Sequence, residues 1–464
     1  MSEYKKKKVK KSATKFIPME QRNKEKEKKP KKAVSKIKMS QKNRKNPEKI
    51  SEKKQKKNFS DAKFSFLRKK NTKKPISQTN NGGEKSHFEI VMGFRRKNRI
   101  KNMIGYGSAL VVVLALIITN AALPTGISES AKNLYSSLGG GENPAEMQST
   151  NVIDSDSDGS ISYLLSDTFF EIFNSRGKEM LYYQHGFSNP EMKLSKSRAL
   201  VYDRGGYGIK IFNDYQILKE NVFDDAIYTA DIARNGNTAF VTKASGYAAA
   251  VTVYSKNFKK IYSRYSADNL ISAVAFNKSG RKLAVSEIYT EGGIVKSKIC
   301  VFGFKSSAPL GEYVIEGTVV SSIINLGSKF AVISNDGYWV IDWKNCKQSL
   351  ENKSTGMLFY DANLSDKVAF VTCENNDYSK NKITVLGKGG TAVSTFDYSG
   401  VVSGISLGKS KISVLGGDKI SVYSLKGKKR SDIDCGYNTY YISSLGGNRV
   451  SAFSKSKFYV FKEN

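Results

Sequence analysis

Eight times between residues 170 and 461 the chain repeats one short signature: an apolar residue, any residue, an apolar residue, then usually an aromatic one. The copies stand at 170–173, 209–212, 251–254, 299–302, 339–342, 383–386, 420–423 and 458–461, and only the fifth and sixth depart at the last position, with Asp342 and Leu386. Alternation of this kind is the period of a β-strand. The third positions lie 37 to 48 residues apart, with a mean near 41. That period suits a four-stranded propeller blade.

Other strands fall at regular offsets from the signature. A second apolar run precedes it in most repeats, as at 199–202, 239–241 and 330–333. Before those runs come turns rich in Gly, Asn and Ser, such as 234–236, 277–280 and 446–448, which are hairpin signals. Residues 145–464 number 320, eight repeats of 40. The expected fold is therefore all-β, a β-propeller of eight blades, with seven as the alternative. The last repeat stops after its third strand at Lys462. Residues 144–149, at the other end of the domain, are expected to supply the missing outer strand and close the ring, which hides both sheet edges.

Ahead of the repeats an apolar stretch begins at Met103 and ends at Leu123, 21 residues without a charge. As a helix it would reach about 30 Å, the thickness of a bilayer's hydrocarbon core. Pro124 and Gly126 follow it. With 102 residues in front, it reads as an uncleaved transmembrane helix and not as a removable signal. Six Lys and Arg lie within about twenty residues before it and Lys132 alone after it. The bias predicts a single-pass protein of the cell membrane, with a cytoplasmic N-terminus and an extracytoplasmic C-terminal domain.

Charge is unevenly spread along the chain. Residues 1–101 hold 36 Lys and Arg against 9 Asp and Glu, so +27 of the total +34 lies there. Such a segment cannot bury enough apolar surface to offset its ordering entropy, and residues 1–102 are expected to form a disordered basic tail. Anionic lipid is the favoured partner of the tail, beside the apolar stretch from Met103 to Leu123 in the bilayer itself. Nucleic acid is the weaker alternative, because base-stacking aromatics are sparse in the tail. Residues 124–143, with Gly139-Gly140-Gly141 near their end, read as a stalk and linker, and 144–464 as the propeller.

No catalytic constellation stands out. The stretch from Asp154 to Gly159 opens like a calcium loop, but its twelfth position is Leu165 where a bidentate Glu belongs, so an acidic turn is expected instead. The glycines between Asp203 and Gly208 suit a tight hairpin. Cys300, Cys346, Cys373 and Cys435 have no metal-type spacing and lie in four different repeats, which favours buried thiols over disulfides or a metal. His185 is the single histidine after the apolar stretch. No metal and no cofactor is expected. The candidate binding residues are Tyr247, Tyr289, Glu291, Asn376 and Tyr378, placed in segments 243–249, 287–297 and 374–382. These segments read as long loops between second and third strands, which share one propeller face.

Around 184–190 and 198–206 the chain resembles an uncharacterised family of membrane-anchored propeller proteins from Gram-positive anaerobic bacteria. The resemblance covers roughly residues 100–464. It implies one N-terminal anchor and an extracytoplasmic propeller, and it supplies no activity. The expected function is a non-enzymatic scaffold for a protein, glycan or cell-wall ligand. The alternatives are an extracytoplasmic hydrolase or lyase with carboxylates in the propeller channel, and a tail that tethers nucleic acid to the membrane.

Overall fold

The computed structural model describes residues 138–463, apart from 197, 354, 355, 376 and 437. The basic tail, the apolar stretch from Met103 to Leu123 and residues 124–137 lie outside the described residues. Within them, 32 strands form eight four-stranded antiparallel sheets. Blades 1 to 7 use consecutive strands and span 152–184, 190–222, 227–266, 270–316, 320–353, 357–399 and 404–434. Blade 8 takes three strands from 441–462 and its fourth from Ala145–Glu146. The expected count of eight and the expected closure of the ring are both present.

Each copy of the signature lies on the third strand of a blade, at the centre of the sheet. Both faces of such a strand are covered, because each blade is sandwiched between two others. The core accordingly consists of eight apolar clusters, one per blade interface. In blade 1, Phe170 and Ile172 pack toward blade 2 against Phe212, whereas Phe173 packs toward blade 8 against Phe458. Each phenylalanine buried in this way contributes roughly 2–3 kcal/mol. The fourth position thus belongs to the interface with the preceding blade and the first and third to that with the following one, except in blade 5, where Trp339 and Ile341 pack toward blade 4 and Tyr338 and Val340 toward blade 6.

Closure is short in backbone but reinforced by side chains. Ala145 and Glu146 pair with Phe458 and Lys457. Just before them, the Asn143 amide donates to the Val460 carbonyl and accepts the Val460 N–H, both at 2.9 Å, so a side chain prolongs the ladder. Residues 138–141 lie against the turn between the third and outer strands of blade 1. Gly141 N–H donates to Arg176 O at 3.1 Å, Asn174 Nδ2 to Gly139 O at 3.0 Å and Lys178 Nζ to Leu138 O at 3.1 Å. A Cβ on Gly141 would fall 2.2 Å from the Gly177 carbonyl oxygen, which explains a glycine there.

Two faces follow from the topology. The lower face carries the turns from first to second strand and from third to outer strand. The upper face carries the hairpins from second to third strand and the crossings between blades. Leu138 therefore meets the propeller on the lower face.

Candidate functional site: the central channel and the upper face

Eight first strands line the central channel, and their pairing register defines which residues share a level. Traced through the ladders from the third position of each signature, and in blade 5 from Val340, which faces the following blade as the third positions do elsewhere, that level holds Asp156, Lys193, Asp231, Ala275, Ile324, Asp361, Ser406 and Ser443 in blades 1 to 8. A cavity of about 330 Å³ opens here, lined by blades 1 to 6.

A first strand exposes one backbone edge to the channel, and its N–H groups need acceptors. Three members of the level supply them. Asp231 Oδ2 accepts Phe276 N–H at 2.7 Å, Asp361 Oδ2 accepts Leu407 N–H at 2.5 Å, and Ser406 Oγ accepts Ser444 N–H at 2.8 Å. In each case the donor stands in the following blade, one residue past the equivalent position. These side chains stitch successive blades around the channel.

Enclosure in the protein disfavours the charged form of these acids. Burial pushes Asp231 up to about 6, against the pull of the Phe276 N–H and the Lys193 charge. It pushes Asp361 up to about 7. Asp156 lies well above the usual carboxylate range through burial first and the Asp361 charge second. Asp154 is raised by burial, partly countered by Lys193.

The lower mouth is spanned by ion pairs. Asp366, buried in the turn after the first strand of blade 6, meets Arg234 of blade 3 at 2.7 Å and Lys278 of blade 4 at 2.6 Å. Asn325 of blade 5 donates to Asp366 Oδ1 at 3.1 Å and accepts Trp343 Nε1–H at 3.1 Å. Arg234 also donates to Leu364 O.

Several motifs resolve into structural roles. Asp154 and Asp156 belong to an extended strand, Val152–Ser157, and Asp154 pairs with Leu165, the twelfth residue of the calcium-like count. The expected acidic turn is thus confined to residues 158–160. There Asp158 accepts the N–H groups of Ser160 and Ile161 at 2.7 and 2.9 Å. Among the described residues no cluster of three or more potential metal ligands occurs. His185 is buried, with Nε2 3.0 Å from Ser166 O and Nδ1 accepting Phe187 N–H at 3.0 Å, and burial lowers its pKa. Both ring nitrogens are occupied, so it is no base for a serine nucleophile. All four cysteines are free; Cys300 and Cys346 are buried and pushed up to about 12.

On the upper face, the segments read as long loops are largely strand. Lys282–Glu291 and Ile294–Gly303 form a ten-residue hairpin turned by Gly292-Gly293, and Asp377–Leu386 is equally long. Tyr247 and Tyr378 are exposed, and Glu291 is exposed beside Lys296 at 3.0 Å. Tyr289 is half-buried on its strand opposite Lys296. Asn376 lies outside the described residues. Around these positions stand exposed apolar side chains that the sequence did not single out: Tyr207, Tyr265, Leu270, Ile294, Val401 and Tyr440. Tyr247 and Tyr265 contact each other, with ring centroids 4.8 Å apart. The lower face shows few of comparable size, Ile261 and Leu310 among them.

Fold and channel define an eight-bladed β-propeller whose lower mouth is spanned by an ion network. Its shape is similar to the computationally designed Ika8 protein, at 12% identity over 69% of this chain and 100% of that one, with a TM-score of 0.50. It is also similar to the C-terminal WD40 domain of Sif2, at 13% identity over 70% and 98%, TM-score 0.48. A third likeness is the Cps50 (Swd1) β-propeller domain of Myceliophteria thermophila, at 9% identity over 70% and 99%, TM-score 0.41. Identities this low speak for the fold alone. A search of the curated proteins finds no match. The chain belongs to the family of unknown function DUF5711, which matches residues 147–462.

Proposed function

We propose that the protein is a membrane-anchored, extracytoplasmic scaffold that binds a protein, glycan or cell-wall ligand on the upper face, without chemistry of its own. The observation that carries this reading is the gathering of exposed aromatic and aliphatic side chains on that face, the Tyr247–Tyr265 pair and Leu270 among them. Exposed apolar patches rimmed by polar groups mark interaction surfaces, and tyrosines offer contact area at low entropic cost. The acids of the channel support the same reading, because Asp231 and Asp361 are engaged by backbone N–H groups of the next blade.

The test is co-sedimentation of the protein with purified cell wall and titration with soluble wall glycans, for the parent and for Tyr247→Ser/Tyr378→Ser. Both residues are exposed, so the double variant should fold as the parent does. At least a tenfold loss of affinity is expected, about 1.4 kcal/mol. Undiminished binding by the variant would remove this face from the reading.

A second reading, carboxylate chemistry in the channel, is favoured by one observation: Asp156 and Asp361 face a cavity with raised proton affinity, as a general acid requires. A glycan turned over by the parent but not by Asp156→Asn would establish it over the scaffold.

A further inference from the structure

The two faces differ sharply in charge. Connections on the lower face hold fifteen Lys and Arg against three Asp, net +12, and those on the upper face two against six, net −4. The three acids of these connections are turned inward, while Glu142, on the segment that reaches this face, is exposed. Asp366 is buried beneath Arg234 and Lys278, Asp214 is buried against the Tyr163 hydroxyl at 2.9 Å, and Asp158 caps its own turn. The cations are turned outward. Lys196, Lys256, Lys305, Lys344, Lys388 and Lys426 are exposed, come one each from blades 2 to 7, and make no ion pair among the described residues. They form a ring around the channel on short turns.

The chain also comes onto the propeller at this face. Leu138 and Gly139 are held by Lys178 and Asn174 at the lower end of blade 1. Fourteen residues, 124–137, separate Leu138 from Leu123. At full extension they span about 50 Å, and as a helix about 20 Å. A propeller tethered so closely presents its point of attachment, the basic face, to whatever holds the tether.

We propose that the lower face docks on the anionic headgroups of the membrane that holds the apolar stretch, leaving the upper face directed outward. The proposal rests on the reading of that stretch as a membrane anchor. Each cation near an anionic bilayer contributes about 1 kcal/mol, falling off within a Debye length of about 10 Å. Six ring lysines therefore suffice to orient a tethered domain, and the acidic upper face is repelled from the same surface. The basic tail is no competitor for the lower face, since like charges repel.

The full-length protein is to be reconstituted into nanodiscs of phosphatidylcholine alone or mixed with phosphatidylglycerol. A membrane-impermeant amine acylating reagent, read by mass spectrometry, reports each lysine, with Lys455 of the upper face as the internal reference. The expected result is several-fold slower labelling of Lys196, Lys305 and Lys388 relative to Lys455 in the anionic discs only, reversed by salt. It should be absent in the variant Lys256→Glu/Lys344→Glu/Lys426→Glu, whose changes are all at exposed positions. Equal labelling in both discs would overturn the docking while leaving the anchor intact. Protection that needs an added soluble polyanion, such as polyphosphate or RNA, and is not given by phosphatidylglycerol would also overturn it. Protein released from the discs by alkaline carbonate would overturn the anchor and the docking together.

Discussion

Glu171, on the third strand of blade 1, accepts the backbone N–H of Ser149 at 3.1 Å and bonds its hydroxyl as well. The same carboxylate accepts Gln148 N–H at 2.8 Å, and it is fully buried. Residues 148–149 follow the two-residue closing strand, so this one side chain fastens the closure to the first blade. Glu171→Ala leaves two N–H groups without acceptors and is expected to cost about 3 kcal/mol, read as a lower urea midpoint. Glu171→Gln, which keeps one acceptor, should lose roughly half as much. Limited proteolysis of Glu171→Ala should cut first near residues 144–150.

The channel acids predict a pH dependence of definite sign. Asp231 and Asp361 sit at about 6 and about 7 in the folded protein, above the unfolded value of about 4. Folding therefore takes up protons between those values, and the folded state gains stability as pH falls from about 7 toward 4. Asp361→Asn keeps an oxygen for the Leu407 N–H and removes the charge. It should be more stable than the parent at pH 8, by on the order of 2 kcal/mol, and equal to it near pH 4. Chemical unfolding at the two pH values decides the matter; a variant weaker than the parent at pH 8 would show that the ionised carboxylate is stabilising.

The approach of residue 141 to blade 1 makes a third, purely steric prediction. Gly141→Val places a Cβ 2.2 Å from Gly177 O, a contact that only backbone movement relieves. The segment 138–143 should detach, the Asn143–Val460 bonds should loosen, and amide exchange should rise at Val460 while the inner strands of other blades stay protected.

Much of this architecture is legible in the sequence, for a physical reason. Third strands are covered on both faces, so their side chains are apolar and the signature survives in all eight blades. A missing strand at the end of the last repeat likewise announces closure from the other end. First strands give no such signal. Their side chains meet neighbouring blades and the channel at once, so one register level reads Asp, Lys, Asp, Ala, Ile, Asp, Ser, Ser. Those residues stand 37 to 49 apart in the chain, and nothing local connects Asp156 with Asp361. The hairpin at 287–297 reads as loop because its alternation continues with Glu, Thr and Lys where a shorter blade would turn. The opposition of charge between the faces is hidden for the same reason as the channel: it emerges only when turns of like position are gathered from every blade.

The ion network of the lower mouth offers the last test. Asp366 is 3% exposed, whereas Arg234 and Lys278 are 29% and 48% exposed. Removing the carboxylate leaves two cations that relax partly into water, so Asp366→Ala should cost about 2 kcal/mol, less than the 3–5 kcal/mol of a wholly buried pair. Lys278→Ala removes only the more solvated partner and should cost under about 1 kcal/mol. The two variants should differ more in access than in stability. Arg234, freed from Asp366, keeps only the Leu364 carbonyl across from blade 3 to blade 6, and the cavity above it is expected to open downward. Carbodiimide coupling at pH 6 should then modify Asp361 and Asp231 faster in Asp366→Ala than in the parent, with Lys278→Ala close to the parent. Equal rates in all three proteins would mean that reagents reach the channel from the upper face, and that the ion network holds blades together without closing a door.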